Sequence, residues 1–189
     1  MISIQENQKA CEMITLLIFL LKDSVSSNQN ENTLLNETII LSQYVKLQNL
    51  RYNDKVHLQI QLPEKMAAIL IPRFLIQPLV ENVFLHAIPM ADSPVDLTIR
   101  FKETLRDVWI EVCDTGIGFS TETFEHILKS PNSSAVSHIG LRNIQDRICT
   151  LYGTDYGLSL EKDSYFHTVI RISIPKHSGG EYSVPNFSS

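Results

Sequence analysis

Three short segments of this 189-residue chain combine residue types that can bind a cation, an amine and an anion. In LVENVFLHAI (Leu79–Ile88), Asn82 and His86 stand four apart and share a face if the segment is helical; Ile76, Val80, Val83 and Ala87 form an adjoining apolar stripe. A neutral amide oxygen held on a helix is a good magnesium ligand when phosphates supply the remaining charge. A capped Asn and a satisfied His at a core edge would look the same. DTGIGF (Asp114–Phe119) directly follows a strand pattern. A carboxylate fixed at a buried strand end can accept a hydrogen bond from an exocyclic amine, and Gly116 and Gly118 permit close backbone approach or positive φ. A plain turn fits that segment equally well. In HIGLRNIQDRI (His138–Ile148), Gly140 lies at a helix start, where unpaired N–H groups and the helix dipole favour phosphate. Arg142 and Arg147 follow, either as anion partners or as solvated surface.

The elements that must position these residues follow from periodicity. Gln8–Val25 has a helical pattern whose apolar residues wrap more than one face, so it needs partners on several sides. SSNQNEN (Ser26–Asn32) is a polar loop, and Asn32 or Thr33 can cap a second helix that runs to Tyr52. VHLQIQL (Val56–Leu62) alternates strictly, as a half-buried strand does. After a short connection ending at Ile71-Pro72, a helix runs to Ile88, with Pro78 expected to kink its early turns. Val95–Phe101 and Val108–Asp114 predict an antiparallel hairpin, Thr121–Lys129 a short helix and Ser130–Ser137 a flexible loop. Ile139–Tyr152 is helical, and Tyr156–Lys162 with Tyr165–Ile174 make a closing hairpin. His177–Ser189 has the composition of a disordered tail. Strands interleaved with helices on one face give an α+β two-layer sandwich.

Composition removes several function classes. The net charge of −5 argues against nucleic-acid binding, which needs a basic face. Cys11, Cys113 and Cys149 stand apart, as buried or partly buried thiols of a reducing compartment and not as a metal or disulfide set. The longest apolar run, Met13–Leu21, is too short for a membrane span, which takes about 20 residues. It has no signal-peptide flanks either. Five of the seven glycines fall between Gly116 and Gly157, so special backbone is concentrated there.

An Asn-bearing helix, then Asp-x-Gly-x-Gly after a strand, then a polar loop, then Gly-Leu-x-Asn opening a helix, resembles the ATP-binding domain of the gyrase–Hsp90–histidine kinase–MutL (GHKL) superfamily. Within it the chain is similar to LytS/YesM-type sensor histidine kinases, over Lys9 to Pro175. IPRFLIQPLVEN (Ile71–Asn82) looks like their N box, QYVKLQNLRYNDK (Gln43–Lys55) like the segment joining dimerisation helix to ATP domain, and GLRNIQDRICTLYG (Gly140–Gly153) like their second glycine box. The resemblance implies a GHKL-type sandwich at residues 54–176. Two helices of a partial dimerisation bundle (1–53) would precede it and a tail (177–189) would follow. It implies an ATP site of Asn82, His86, Asp114, Gly116, Gly118, Gly140, Leu141, Arg142, Asn143, Arg147 and Thr168. Asn82 would bind Mg2+ and Asp114 the adenine amino group, with Thr168 helping through water. Gly116, Gly118 and Gly140 would shape the pocket, and Ser130–Ser137 would be its lid. The implied reaction moves the γ-phosphoryl group of ATP to a histidine and then to a response regulator. The implied setting is the cytoplasmic portion of a membrane sensor that forms homodimers through the helical region, with sensor and membrane segments upstream. A degenerate module that dimerises or binds a partner is the alternative. A GHKL ATPase or an anti-sigma-type serine kinase is disfavoured by the long paired helices.

The chain also departs from the family pattern. None of His57, His86, His126, His138, His167 and His177 has the Pro-His-Phe-type setting of the family's phosphorylated histidine, so the chain is expected to begin just after that helix. Leu85 stands where a basic residue is frequent, and His138 and His167 where glycine is common. ATP-hydrolysing relatives place a glutamate base one turn before the magnesium Asn. Here that position is Pro78, and Glu81 points about 100° away around the helix. This favours phosphotransfer to a protein nucleophile. Incubation of the chain with γ-labelled ATP is expected to leave no stable label on it; retained label would overturn this.

Overall fold

The computed structural model describes residues 4–26, 30–88, 93–118, 120–129 and 139–176. The expected lid Ser130–Ser137, His138, Phe119 and the expected tail His177–Ser189 lie outside the described residues.

Helix α1 (Ile4–Ser26) is longer than its apolar pattern predicted. It buries Leu16 but leaves Ile14, Leu17, Ile18, Phe19, Leu21 and Val25 exposed, which is the multi-faced apolar surface expected of it. Cys11 is exposed on this helix, against the expectation of a partly buried thiol. Helix α2 (Leu34–Tyr52) starts at the expected cap: the Thr33 hydroxyl accepts the Asn36 N–H at 3.2 Å. Lys46 of α2 pairs with Glu12 of α1 at 2.7 Å. Leu34, Leu41 and Val45 of α2 join the same apolar core as the sheet described below.

Two strands were not expected. β1 (Glu31–Thr33) lies in the predicted loop, and β3 (Leu70–Pro72) in the predicted connection; they pair antiparallel, Asn32 opposite Ile71. With three residues each, they carry too little pattern to stand out. The main sheet contains β2 (Val56–Gln61), β4 (Val95–Glu103), β5 (Asp107–Asp114), β6 (Gly157–Glu161) and β7 (Thr168–Pro175), in the order β2-β4-β5-β7-β6. The β2–β4 pair is parallel and the other pairs are antiparallel. β7 begins three residues later than predicted. The Asp163 carboxylate accepts the N–H groups of Tyr165 and Phe166 at 2.8 and 3.2 Å, holding that stretch in a turn.

One sheet face is apolar and carries Leu97, Ile99, Ile110, Val112, Ile170 and Ile172. Over it lie helix α3 (Gln77–Asn82) with the π-turn Val83–Ala87, helix α4 (Thr121–Lys129) and helix α5 (Ile139–Tyr152). They contribute Leu79, Val80, Val83, Phe124, Ile127, Leu141, Ile144 and Ile148 to the core, which completes the α+β two-layer sandwich. Pro78 does not kink the early turns of a longer helix as expected, because α3 begins only at Gln77. It occupies the first turn of α3, where a missing N–H costs nothing. The irregularity falls later, where the Ile88 N–H reaches back five residues to the Val83 carbonyl.

Ile110, wholly buried on the central strand, tests the continuity of this core. Ile110→Ala is expected to lower unfolding free energy by about 2–5 kcal/mol in urea titration; a loss under about 1 kcal/mol would contradict a close-packed sandwich.

Candidate functional site

A cavity of about 280 Å³ opens between the carboxyl end of β5 and the helix layer. Leu79, Asn82, Val83, His86 and Ala87 form its helical wall, and Val112, Asp114, Thr168 and Ile170 its sheet wall. Ile117, Gly118, Ser120 and Thr123 close one side. The lining is mostly aliphatic with a few polar groups aimed inward, the usual character of a small-molecule site.

Asp114 is the centre of this site. Strand alternation turns it to the core face, level with Leu97 on β4 and Thr168 on β7, and it is 7% exposed. Burial pushes its carboxyl above the ordinary range; the Gly116 N–H, the Thr168 hydroxyl and the charge of His167 pull partly the other way. The Gly116 N–H donates to Asp114 Oδ1 at 2.8 Å.

The two glycines after Asp114 serve different ends. A Cβ on Gly116 would run into the Ala87 side chain and sit 2.8 Å from Asp114 Oδ1, so this position is one of close approach. Gly118 has φ +83°, which disfavours any side chain. The turn between them is tied to both neighbouring strands. Thr115 exchanges bonds with Asp96 of β4, its N–H donating to the carbonyl at 3.1 Å and its hydroxyl accepting the Asp96 N–H at 2.9 Å. From the β7 side, the His167 N–H donates to the Asp114 carbonyl at 2.9 Å, and His167 Nδ1 lies 2.5 Å from the Gly116 carbonyl oxygen.

The structure brings Asn82, His86, Asp114, Gly118 and Thr168 to one cavity, with Gly116 directly behind. Despite the π-turn, Asn82 and His86 still face the same space. The second glycine box is not part of the lining. Gly140 faces Pro78, where a Cβ would make only ordinary contact at 3.5 Å, and Leu141 is buried in the core. Arg142 lies 3.3 Å from Asp146, Asn143 is exposed, and Arg147 donates to the Arg73 carbonyl at 2.6 Å. Ile117, Ser120 and Thr123 also line the cavity, without belonging to the expected site. The Ser120 hydroxyl accepts the Thr123 N–H at 3.1 Å, so the signal was a Ser-x-x-Thr helix start. Among the described residues no group of three His, Cys, Asp or Glu side chains could hold a metal ion.

Known proteins give the fold a class. The catalytic domain of histidine kinase ThkA, in a nucleotide-free form, superposes with a TM-score of 0.58 at 16% identity, covering 77% of this chain and 94% of that one. ThkA in complex with the response regulator protein TrrA aligns with a TM-score of 0.58 at 18% identity, over 87% of this chain and 48% of that one. The fold is thus that of histidine kinase catalytic domains. Residues 1–56 match the histidine kinase family model. An uncharacterized sensor-like histidine kinase of Staphylococcus epidermidis is 32% identical over 165 residues, 86% of this chain and 32% of that protein. The sensor protein kinase HptS of Staphylococcus aureus is 28% identical over 162 residues, 85% of this chain and 31% of that protein. Over most of its length the chain is similar to sensor histidine kinases, and its fold is the one their catalytic domains have. The chain spans about a third of the length of these relatives. No described helix is long and apolar enough to cross a membrane.

The raised carboxyl of Asp114 has a signed consequence. Between the ordinary aspartate value and its raised folded value, the folded state holds the proton more often than the unfolded chain. Stability from this group is therefore full below that window and lost as pH rises through it. Asp114→Asn keeps an acceptor for the Gly116 N–H and removes the buried charge. The variant is expected to match or exceed the parent's melting temperature at pH 7 and to lose that advantage below about pH 4. A variant clearly less stable at pH 7 would show that ionised Asp114 stabilises the fold.

Proposed function

We propose that this chain is the ATP-binding catalytic region of a two-component sensor histidine kinase. In this reading residues 54–176 are the catalytic domain, 1–53 part of the dimerisation region and 177–189 a tail. The observation that carries it is the buried Asp114 carboxylate, set in a small aliphatic cavity with the Asn82 amide on the facing helix.

The residues present fit an adenine nucleotide. Asp114 accepts from the adenine amino group, Thr168 supports that contact through water, and the aliphatic walls of Val112, Ile117 and Ile170 take the faces of a flat ring. Asn82 holds magnesium through its amide oxygen. With no acidic cluster among the described residues, the ion's remaining ligands must come from phosphates and water, as magnesium commonly arranges. His86, one turn on, faces the same space. Bound ATP with its magnesium supplies the transferable γ-phosphoryl group and the neutralisation of its charge. The protein's share is positioning. The acceptor is a histidine in the Pro-His-Phe-type setting, which none of the six histidines here has, and the phosphoryl group passes on to a response regulator. The helical region pairs with a second copy in the full-length protein, using the exposed apolar faces of α1. The second glycine box acts from outside the cavity lining, on the phosphate side.

One observation favours a second reading, a module that has lost catalysis. Among the described residues the cavity lining contains no Lys or Arg, so the phosphates have no cation at the cavity itself.

Calorimetric titration with Mg-ATP decides between them. The parent chain is expected to bind. Asp114→Asn should weaken ATP and ADP alike by about 10–100-fold, the worth of a hydrogen bond to a charged group. Asn82→Ala should instead remove the magnesium dependence of binding. A parent chain without affinity would support the non-catalytic module.

A further inference from the structure

We propose that His167 is a positioning residue for the base-binding end of the cavity, a clamp that holds the Asp114–Gly118 turn in its binding shape before any ligand arrives. The inference rests on the nucleotide reading of this cavity but names a residue outside that site's set.

His167 touches the turn from three directions. Its backbone N–H donates to the Asp114 carbonyl at 2.9 Å, continuing the β5–β7 ladder one step beyond the Asp114–Thr168 pair. Its ring Nδ1 lies 2.5 Å from the carbonyl oxygen of Gly116. A carbonyl only accepts, so Nδ1 carries the proton in this arrangement. Its own carbonyl and Cβ lie 3.5 and 3.6 Å from where a Cβ of Gly118 would stand, so it backs the one residue of the turn with positive φ. The backbone contact is available to any residue. The ring contact is not: a glycine at 167 would leave the Gly116 carbonyl without this donor.

The neighbouring geometry explains why such a clamp matters. Gly116 lends its N–H to Asp114 Oδ1, so any drift of the Gly116 peptide moves the carboxylate's partner. Gly118 itself lines the cavity. Two glycines within three residues make a loose hinge, and fixing it in the free protein lowers the ordering cost of binding. Thr115 is already tied to Asp96 on the β4 side, and His167 supplies the matching tie from β7.

The test compares the full chain with His167→Ala and His167→Asn. An Asn side-chain nitrogen sits two bonds from Cβ, as Nδ1 does, and can donate to the same carbonyl. Binding of Mg-ATP, ADP and adenosine is measured by calorimetry, and amide hydrogen exchange over 114–118 is followed without ligand. His167→Ala should weaken all three ligands by a common factor of about five, the worth of one hydrogen bond, and speed exchange over 114–118. His167→Asn should recover both. Unchanged affinity and exchange in His167→Ala, a loss confined to ATP, or failure of Asn to restore the parent's behaviour would each overturn the clamp. A parent that binds none of the three ligands overturns the nucleotide reading instead. The exchange comparison then still decides: faster exchange in His167→Ala supports the clamp, and equal exchange sinks it.

Discussion

Register across the three central strands is the constraint on which this site depends. Leu97, Asp114 and Thr168 lie in one row of β4, β5 and β7, with Ile99, Val112 and Ile170 in the next same-face row. Because strand side chains alternate, a slip of one residue in β5 would turn Val112 and Ile110 to solvent and carry Asp114 to the open face. The aliphatic rows therefore enforce the position of the carboxylate. The cost of burying that carboxylate is met by cooperative burial of its neighbours, while the Gly116 N–H and Thr168 hydroxyl reduce it.

The helical region is joined to the sandwich by packing and by a polar knot. Arg73, 7% exposed, donates through Nη2 to the Asp23 carbonyl at the end of α1 and pairs with the Asp23 carboxylate. Its own carbonyl receives Arg147 from α5. Beside it, Glu37 of α2 is 1% exposed and accepts from Asn32 at 3.0 Å, with burial raising its carboxyl above the usual range. Phe74, which follows Arg73, has φ +57° and turns the chain toward α3. Charges of both signs are thus gathered where α1, α2, β3 and α5 converge, and each would be expensive to leave alone. This is why Arg147, which from its position in the glycine box looked suited to a phosphate, is engaged elsewhere.

Local patterns made much of this legible. The alternation of Val56–Leu62, the Thr33 cap, the span Ile139–Tyr152 and the Asp-x-Gly-x-Gly turn each express a rule acting within a few residues, and each stands close to where it was expected. What escaped depends on distant partners. β1 and β3 exist only because residues nearly 40 apart meet, and nothing in ENT or LIP by itself demands a strand. The π-turn answers to packing over the sheet, not to propensity. His167 was visible as an oddity, but its purpose needed the Gly116 carbonyl beside it.

On the sheet face away from the helix layer, the row of Thr98, Cys113 and Val169 is buried, and the rows beyond it carry charge. Arg100, Glu111 and Arg171 stand side by side on β4, β5 and β7, and Glu161, one same-face position along β6 from Ser159 opposite Arg171, joins them through an ion pair with Arg171 at 3.0 Å. Trp109, the single tryptophan, lies in the adjoining row with Arg171 at 4.4 Å and Lys102 at 5.2 Å from its ring. The two arginines and two glutamates balance across these strands, so the surface neither sets like charges against one another nor offers a greasy plate to another sheet. The charged rows of this face are thereby insulated against stacking on another sheet.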